Sequence, residues 1–435
     1  MIALALLCLH THSDASGNDP IFKGVKNVNL RNGMTVLIKE NHSQPLVSVQ
    51  VWVKVGSINE NESTAGLSHF IEHLIFKGSR KYPGDAITRK VETRRGMINA
   101  ATSKEFTEFY IDIQKEGFEE SVRMLADAMS SALFPAEEIE RERPVVIEEI
   151  VRSNDNPNSV LYDLYNSAVF QKTPYRHNVI GSEQVIRKVS RDNIVKYYSE
   201  HYVPENIIVS VAGDLNSDKA LALIKDTFGK QAGPKPPQQP VLIEPSHGPN
   251  SQARTKDLEH AYWLGGFIGP DIASDDQFTA DLASTILGGG RSSRLFRKLR
   301  EEKRLVYYIN ASFWSQHGSG SFALMSVYDP KKEKDVVDGI NAELNSLMND
   351  GPTDEEVARA KVMAKSQWFF GMETFHDQAS TLAYWNLMER PELADGYIAG
   401  LEKVTKEDIK DFFNKYYRPY GLNQAILIPK VKNAK

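Results

Sequence analysis

Two histidines and a glutamate at residues 69–73 form the part of the sequence best suited to chemistry. His69 and His73 are four positions apart, and on an α-helix residues at that spacing lie on the same face. Two imidazole nitrogens placed in this way can bind one metal ion, and the carboxylate of Glu72 lies close enough to take a proton from a metal-bound water. The alternative is an ordinary histidine pair on an amphipathic helix, because so short a motif also arises by chance.

The flanking residues predict the helix that this motif needs. Apolar side chains recur at helical spacing around it, namely Leu67, Phe70, Ile71, Leu74 and Ile75. The hydroxyls of Ser63 and Thr64 are N-cap candidates, and Gly78 is a candidate stop signal. We therefore expect a buried helix within residues 64–77 that is rigid enough to hold a metal ion.

A third ligand must come from another segment, because catalytic zinc uses three protein ligands and one open position. The acidic run at residues 137–150 is the obvious source, and Glu142 and Glu149 within it are seven positions apart, close to two helical turns. A solvated helix face is the alternative interpretation of such a run. Pro144 lies between the two glutamates, so the helix either restarts there or kinks, and a kink would swing Glu142 away.

These segments resemble the pitrilysin-type inverzincins, the family of mitochondrial processing peptidase and insulin-degrading enzyme, which carry the order H-x-x-E-H. The resemblance runs from about residue 25 to residue 430. It includes Gly-Met-Ile-Asn-Ala at 96–100, Pro-Tyr at 174–175 with Gly181, Gly-Gly-Gly-Arg-Ser-Ser-Arg-Leu at 288–295, Leu-Arg at 299–300 and Leu-Val-Tyr at 305–307.

The resemblance implies a zinc-dependent endopeptidase with one Zn²⁺ per chain. His69 and His73 would bind the metal together with Glu149, which corresponds to the family's third ligand. Glu72 would activate the zinc-bound water and pass its proton to the leaving amine. Glu142 corresponds to a second functional glutamate of the family, and we assign it a catalytic role beside the ligands.

Four further residues are implied to contact the substrate. Asn99 and Ala100 lie on a predicted edge strand, which can pair with an extended peptide and so favours unfolded substrates. Arg300 and Tyr307, seven positions apart near a predicted helix end, would contact the substrate backbone and the developing oxyanion. The alternatives are an ordinary strand-end asparagine, an exposed arginine and a half-buried tyrosine.

Length and internal similarity predict two related domains. A chain of 435 residues exceeds what one core usually organises, and six prolines at residues 233–250 predict a semi-rigid tether. Residues 189–194 and 404–409 echo each other, and each is followed by an aromatic pair and an apolar strand, which indicates an internal duplication. We predict domains at 19–232 and 251–435, each an α+β sandwich with a mostly antiparallel sheet and helices packed on one face.

The periodicity predicts individual elements in the first half. Strands are expected at 36–38 and 47–53. Helices are expected within 64–77, 85–95, 117–133, 137–151 and 190–201.

The second half lacks the chemistry of the first. When Leu67 is aligned with Leu282, three residues that cannot rebuild the motif stand opposite its histidines and glutamate, namely Ser284, Leu287 and Gly288. Gln367 falls roughly opposite Glu149, so we expect metal in the first half only. The glycine run at 288–290 lacks the phosphate-binding pattern G-x-x-x-x-G-K-[ST] and is interpreted as a flexible loop beside the active cavity.

Charge and the N-terminal residues bear on partners and compartment. The chain has 57 acidic and 52 basic residues, a net charge of −5, and no basic block, which argues against a nucleic-acid surface. The apolar run at residues 2–9 is too short to cross a bilayer but suits a signal peptide. We therefore predict a signal peptide and a disordered N-terminus at 1–18, and cleavage of the signal peptide would remove Cys8. The mature protein is expected to be periplasmic or secreted, with the cytoplasm as the alternative.

The resembled family works as a clamshell of four such domains. This chain supplies two of them, so the resemblance implies a homodimer or a heterodimer with a related subunit. Three rival functions stay open: a catalytically inactive structural relative, a non-enzymatic partner subunit, and a zinc hydrolase acting on another type of bond.

Overall fold

Two β-sheets, one in each half of the chain, organise the structure. The computed structural model describes residues 21–240 and 242–430, so the predicted signal at 1–18 lies outside the described residues. The strands of the first sheet are β1 Lys26–Asn29, β2 Thr35–Glu40, β3 Leu46–Val53, β4 Met97–Thr102, β5 Thr107–Gln114 and β6 Ile207–Gly213. Those of the second sheet are β7 Ser251–Lys256, β8 Ala261–Gly269, β9 Val306–Trp314, β10 Gly320–Tyr328 and β11 Asn423–Pro429.

Helices connect these strands and cover the sheets. The first half contains α1 Leu67–Leu74, α2 Ala86–Thr93, α3 Phe118–Ser131, α4 Ala136–Asp155, α5 Pro157–Val169, α6 Glu183–Lys188, α7 Arg191–His201 and α8 Ser217–Thr227. The second half contains α9 Asp276–Gly288, α10 Glu333–Asn349, α11 Asp354–Phe370, α12 Phe375–Leu387, α13 Pro391–Lys403 and α14 Lys406–Phe412. Two π-helical segments occur at Phe296–Glu302 and Phe413–Tyr417.

The two sheets have the same topology. The strand order is β1-β2-β6-β3-β5-β4 in the first and β7-β11-β8-β10-β9 in the second. Each sheet has one parallel pair, β2–β6 in the first and β7–β11 in the second, and its other pairs are antiparallel. The first sheet has β1 as an additional edge strand. The predicted α+β class with two related, mostly antiparallel sheets is confirmed, while the predicted domain boundaries stay predictions.

Each sheet also receives one helix from the opposite half of the chain. Helix α5 packs on the second sheet, where the hydroxyls of Tyr165 and Ser321 are 2.8 Å apart. Helix α12 packs on the first sheet, where Ser210 Oγ donates to the carbonyl of Ala379 at 2.7 Å. This exchange joins the two halves through buried contacts on the faces that their own helices leave open.

The proline-rich segment is anchored rather than free in its described part. Residues 233–240 and 242–250 form neither helix nor strand. The buried carboxylate of Glu244 accepts backbone N–H groups of Gln171, Lys172 and Thr173 at 2.8–3.2 Å, and the Glu244 N–H donates to Ser319 Oγ at 2.6 Å. The segment is therefore held against both halves.

The glycine run begins inside a helix. Gly288 is the last residue of α9, and a Cβ on it would lie 1.9 Å from the backbone nitrogen of Ala311 on β9. The interpretation of residue 288 as part of a flexible loop is therefore wrong, because a glycine there lets α9 pack directly against the β9 backbone. No helix among the described residues is both long enough and apolar enough to span a membrane.

Candidate metal centre

Helix α1 carries both histidines of the motif. Its apolar side chains Leu67, Phe70, Ile71 and Leu74 are buried in the core of the first half. His69 and His73 lie on the remaining edge and are half-buried, with ring centroids 4.8 Å apart and ring planes at 80°. The packing of the apolar face thus fixes the helix, and the helix fixes the two imidazoles.

The start of α1 differs from the prediction. Gly66 is the N-cap residue, with φ of 97° and no capping side chain of its own, so the predicted hydroxyl cap from Ser63 or Thr64 is wrong. The carboxylate of Glu60 instead accepts the N–H groups of Gly66 and Ser68, both at 2.7 Å. Burial raises the pKa of Glu60 to about 7 against the effect of these donors. An acceptor six residues upstream therefore satisfies the helix terminus.

Helix α4 brings the two glutamates to α1. It runs without a break from Ala136 to Asp155 with Pro144 inside it, so Pro144 does not displace Glu142. Glu149 Oε2 lies 3.6 Å from His69 Nε2 and 3.4 Å from His73 Nε2. The seven-residue spacing on one helix is thus enough to place both carboxylates beside the motif.

The donor set of this cluster fits a zinc ion. One ligand atom from each of His69, His73 and Glu149 lies within 4.8 Å of the others, and no second cluster of this kind occurs in residues 21–240 and 242–430. Two imidazoles and one carboxylate form a known catalytic zinc donor set. Burial, with a smaller effect of His73, lowers the pKa of His69 to about 4, so its imidazole stays neutral, which is the form that binds metal.

Glu142 lies behind one of these histidines. Its Oε2 is 3.4 Å from His73 Nδ1, and its Oε1 is 2.6 Å from Lys77 Nζ. A carboxylate that accepts from the far nitrogen of a ligand histidine fixes the orientation of the ring. The geometry therefore supports a positioning role for Glu142, and its catalytic role stays a prediction.

Glu72 is held by a residue that the sequence did not point to. Its Oε2 accepts a hydrogen bond from Thr102 Oγ1 at 2.8 Å. Burial raises the pKa of Glu72, while this hydrogen bond lowers it. Thr102 is the last residue of β4 and lies on the same face of the strand as Ala100. Side chains alternate between the two faces of a strand, so the predicted Asn99–Ala100 pair could have indicated that Thr102 lies on the face of Ala100.

Thr102→Val should lower kcat for peptide hydrolysis about tenfold with KM little changed, since a hydrogen bond to a charged group contributes about 1.5 kcal/mol. The substitution keeps the shape of the side chain and removes only the hydroxyl that orients Glu72. Steady-state kinetics on a quenched-fluorescence peptide provide the measurement. Thr93→Val at the exposed end of α2 is the matched control, and equal kcat values for the two variants would argue against the positioning role.

Asn99 and Ala100 lie where the prediction placed them, on an edge strand. β4 is the last strand of its sheet and pairs only with β5. Asn99 is exposed, and its Oδ1 accepts the N–H of Ala100 at 2.9 Å. The free side of β4 is available for a peptide, and the substrate contacts of both residues stay predictions.

Arg300 and Tyr307 lie in the second half, apart from the metal cluster. Arg300 is exposed in the π-helical segment, with Cζ 5.0 Å from the ring centroid of Phe296. Tyr307 is 53% exposed on β9, so its predicted place near a helix end is wrong, since the chain has already entered the second sheet. Its ring centroid is 4.4 Å from that of His260. Within this chain, neither side chain contacts the cluster, and their substrate roles stay predictions.

Two family models match the chain. The model described as Insulinase (Peptidase family M16) matches residues 35–183, and that described as Peptidase M16 inactive domain matches residues 188–363. The chain belongs to peptidase family M16. The His69–Glu149 cluster lies entirely within the first match, and the region described as inactive begins after it.

Individual relatives of this M16 chain agree with the family assignment. An uncharacterized zinc protease of Mycobacterium leprae is 29% identical over 387 residues, 88% of this chain and 86% of the relative. An uncharacterized zinc protease of Bacillus subtilis is 27% identical over 356 residues, which are 82% of this chain and 86% of the relative. The predicted resemblance to the pitrilysin and insulinase family is confirmed.

Solved structures share the fold along nearly the whole chain. A protease from Helicobacter pylori superposes with a TM-score of 0.88 at 26% identity, covering 93% of this chain and 99% of that one. The periplasmic protease PqqL from Escherichia coli has a TM-score of 0.78 at 17% identity, covering 93% of this chain but 48% of that one. The second likeness shows the fold alone.

Proposed function

We propose that this M16 chain is a zinc metalloendopeptidase that hydrolyses unfolded peptides bound in extended form. The observation that carries the proposal is the convergence of one donor atom each from His69, His73 and Glu149 within 4.8 Å, with Glu72 on the same helix. When bound there, zinc polarises a carbonyl and lowers the pKa of a bound water.

The chain's own residues supply the proton transfers and the binding of the peptide. Glu72, with Oε2 held by Thr102, takes a proton from the attacking water on Oε1 and returns it to the leaving amine. Its half-buried position raises its pKa, which suits a group that must both accept and release a proton. The unpaired edge of β4 binds peptide backbone by strand addition, a mode that a folded protein does not satisfy.

Removal and return of the metal test this function. Treatment with a chelator should lower hydrolysis of a quenched-fluorescence peptide by more than about 100-fold, because the metal supplies several kcal/mol of transition-state stabilisation. Stoichiometric zinc should restore the rate, and elemental analysis should find one zinc ion per chain. Full activity in metal-free protein would contradict the proposal, and absence of hydrolysis in zinc-loaded protein would favour the inactive relative or partner subunit.

We also propose that two such chains form the working clamshell. The support is that this chain contains two related sheets, while the metal cluster and the exposed Arg300 and Tyr307 lie apart within it. A second copy, or a related subunit, would bring such a pair to the cluster. Size-exclusion chromatography with light scattering tests this, and a fully active monomer would contradict it.

We also propose that the protein is exported, and the support for this is the apolar run at residues 2–9 alone. Mass spectrometry of the mature N-terminus in fractionated cells tests it, since cleavage near residue 18 and recovery outside the cytoplasm are expected. An uncleaved chain in the cytoplasm would favour the alternative.

A further inference from the structure

A cavity of about 390 Å³ lies between the two halves of the chain. It is lined by Trp52 from β3 of the first sheet and by residues of the second half, most of them on helices, and none of the metal-centre residues lines it. Cavities of this size hold small ligands or single large side chains. Its lining therefore indicates what it could bind.

The walls are aromatic. Besides Trp52, the rings of Trp368, Tyr384, Trp385 and Tyr397 line the cavity. Trp368 and Tyr397 are stacked, with centroids 4.5 Å apart and planes at 22°, which holds both rings in place. The negative faces of such rings attract organic cations, and indole attracts them most strongly.

A carboxylate without a cationic partner shares this cavity. Asp281, on α9, accepts one hydrogen bond from the hydroxyl of Tyr397 at 2.7 Å, and no lysine, arginine or histidine of the described residues forms an ion pair with it. Burial raises the pKa of Asp281 to about 7. A carboxylate so placed carries an uncompensated charge whenever it ionises.

Three other deep carboxylates of the chain are satisfied internally. Glu60 and Glu244 each accept at least two backbone N–H groups, and Glu356 pairs with Arg294 at 2.7 Å. Asp281 differs from them because its single donor is a phenol and its side chain is half-buried at the cavity. The missing donor is one that a ligand in the cavity can supply.

A second polar atom in the lining also lacks a partner. Ser315 Oγ is buried and forms no hydrogen bond with the described residues. Buried polar atoms without partners are rare in folded proteins, and each one requires an explanation. A ligand with N–H groups beside its charge would supply the donor that Asp281 lacks.

We propose that this cavity binds an organic monocation, an alkylammonium or guanidinium group, with Asp281 as its counter-ion and the aromatic rings as its walls. This site is separate from the metal centre and goes beyond the proposed peptidase function. The same chemistry is available from a free amine and from a lysine or arginine side chain of a peptide.

Tryptophan fluorescence of the full chain can report binding, because three of its five tryptophans line the cavity. n-Butylammonium should change the emission in a saturable manner and bind at least about tenfold more tightly than neutral butan-1-ol, which matches its size but lacks the charge that the aromatic rings and Asp281 attract. Equal affinity of the two compounds would overturn the proposal without any variant being needed.

A peptide pair identifies the source of the cation. A short peptide with one lysine is compared with the same peptide carrying norleucine at that position. Lysine-dependent binding assigns the site to a peptide side chain, and n-butylammonium binding without it assigns the site to a free amine. The proposal would be overturned if the cation bound no more tightly than its neutral analogue and the lysine peptide bound no more tightly than the norleucine peptide.

Asp281→Asn should weaken n-butylammonium binding at least tenfold while keeping the side-chain volume. The matched control is Glu355→Gln, a carboxylate on α11 whose side chain is 90% exposed, and it should bind n-butylammonium like the wild type. Unchanged binding in a folded Asp281→Asn protein would overturn the proposal. Because neither residue belongs to the metal centre, zinc content should not change in either variant, so this test is independent of the peptidase assignment.

Discussion

Replacing Glu72 by glutamine should lower kcat/KM for peptide hydrolysis about 10³-fold, within the range expected for loss of a general base. The amide keeps the size of the side chain and still accepts a hydrogen bond from the Thr102 hydroxyl, whose oxygen is 2.8 Å from Oε2 in the wild type. It cannot take a proton, so the attacking water stays unactivated. Quenched-fluorescence assays at saturating zinc give the rate.

Zinc content separates loss of the base from loss of the metal. Glu72 does not belong to the cluster of His69, His73 and Glu149, so the Glu72→Gln protein should still bind one zinc ion by elemental analysis. Glu148→Gln is the matched control, because its carboxylate is 70% exposed on α4 beside Glu149, and it should keep full activity. Wild-type hydrolysis by Glu72→Gln would assign the proton transfer to another group.

Local periodicity predicted the elements that carry the metal centre. The apolar positions around His69 and His73 are buried as helical spacing requires, and Glu142 and Glu149 lie on one helix as their spacing predicted. Such signals are carried by neighbours in sequence, so the amino-acid sequence contains them directly. The edge position of β4 was instead implied by the family resemblance of residues 96–100.

Long-range contacts within the site were not predictable in this way. Glu60 satisfies the start of α1 from a preceding loop, and Thr102 reaches Glu72 from the end of β4. Both contacts depend on how a helix lies across a sheet. Strand alternation places Thr102 on the same face as Ala100, but it does not specify the contact with Glu72. Pro144 is a related case, because whether it interrupts α4 depends on the packing around the helix, and α4 is continuous through it.

The relation between the two halves was also only partly predictable. The repeat at 189–194 and 404–409 indicated a duplication, and the shared strand order agrees with it. The packing of α5 on the second sheet and of α12 on the first had no sequence signal. The apolar spacing of a helix predicts that one face is buried, but it does not specify which sheet buries it. The cavity around Asp281 arises from this exchange, because Trp52 of the first sheet meets helices of the second half there.

Glu149→Ala should lower the zinc affinity by more than about 100-fold, which exceeds the 10- to 100-fold effect typical of residues that only support a ligand. Its Oε2 lies 3.6 Å from His69 Nε2 and 3.4 Å from His73 Nε2, so removing it leaves two imidazoles and no anionic donor. Competition with a fluorescent zinc chelator measures the affinity, and circular dichroism checks that α4 is intact.

Glu142→Gln on the same helix is the comparison that distinguishes a metal ligand from a residue that only supports one. Glu142 contacts His73 through Nδ1 at 3.4 Å and is not among the three clustered donors, so its loss should weaken zinc binding by only about 10-fold, as for a supporting residue. The expected order of zinc affinity is therefore wild type, then Glu142→Gln, then Glu149→Ala. The reverse order of the two variants would make Glu142 the ligand and would place the metal on the other side of His73.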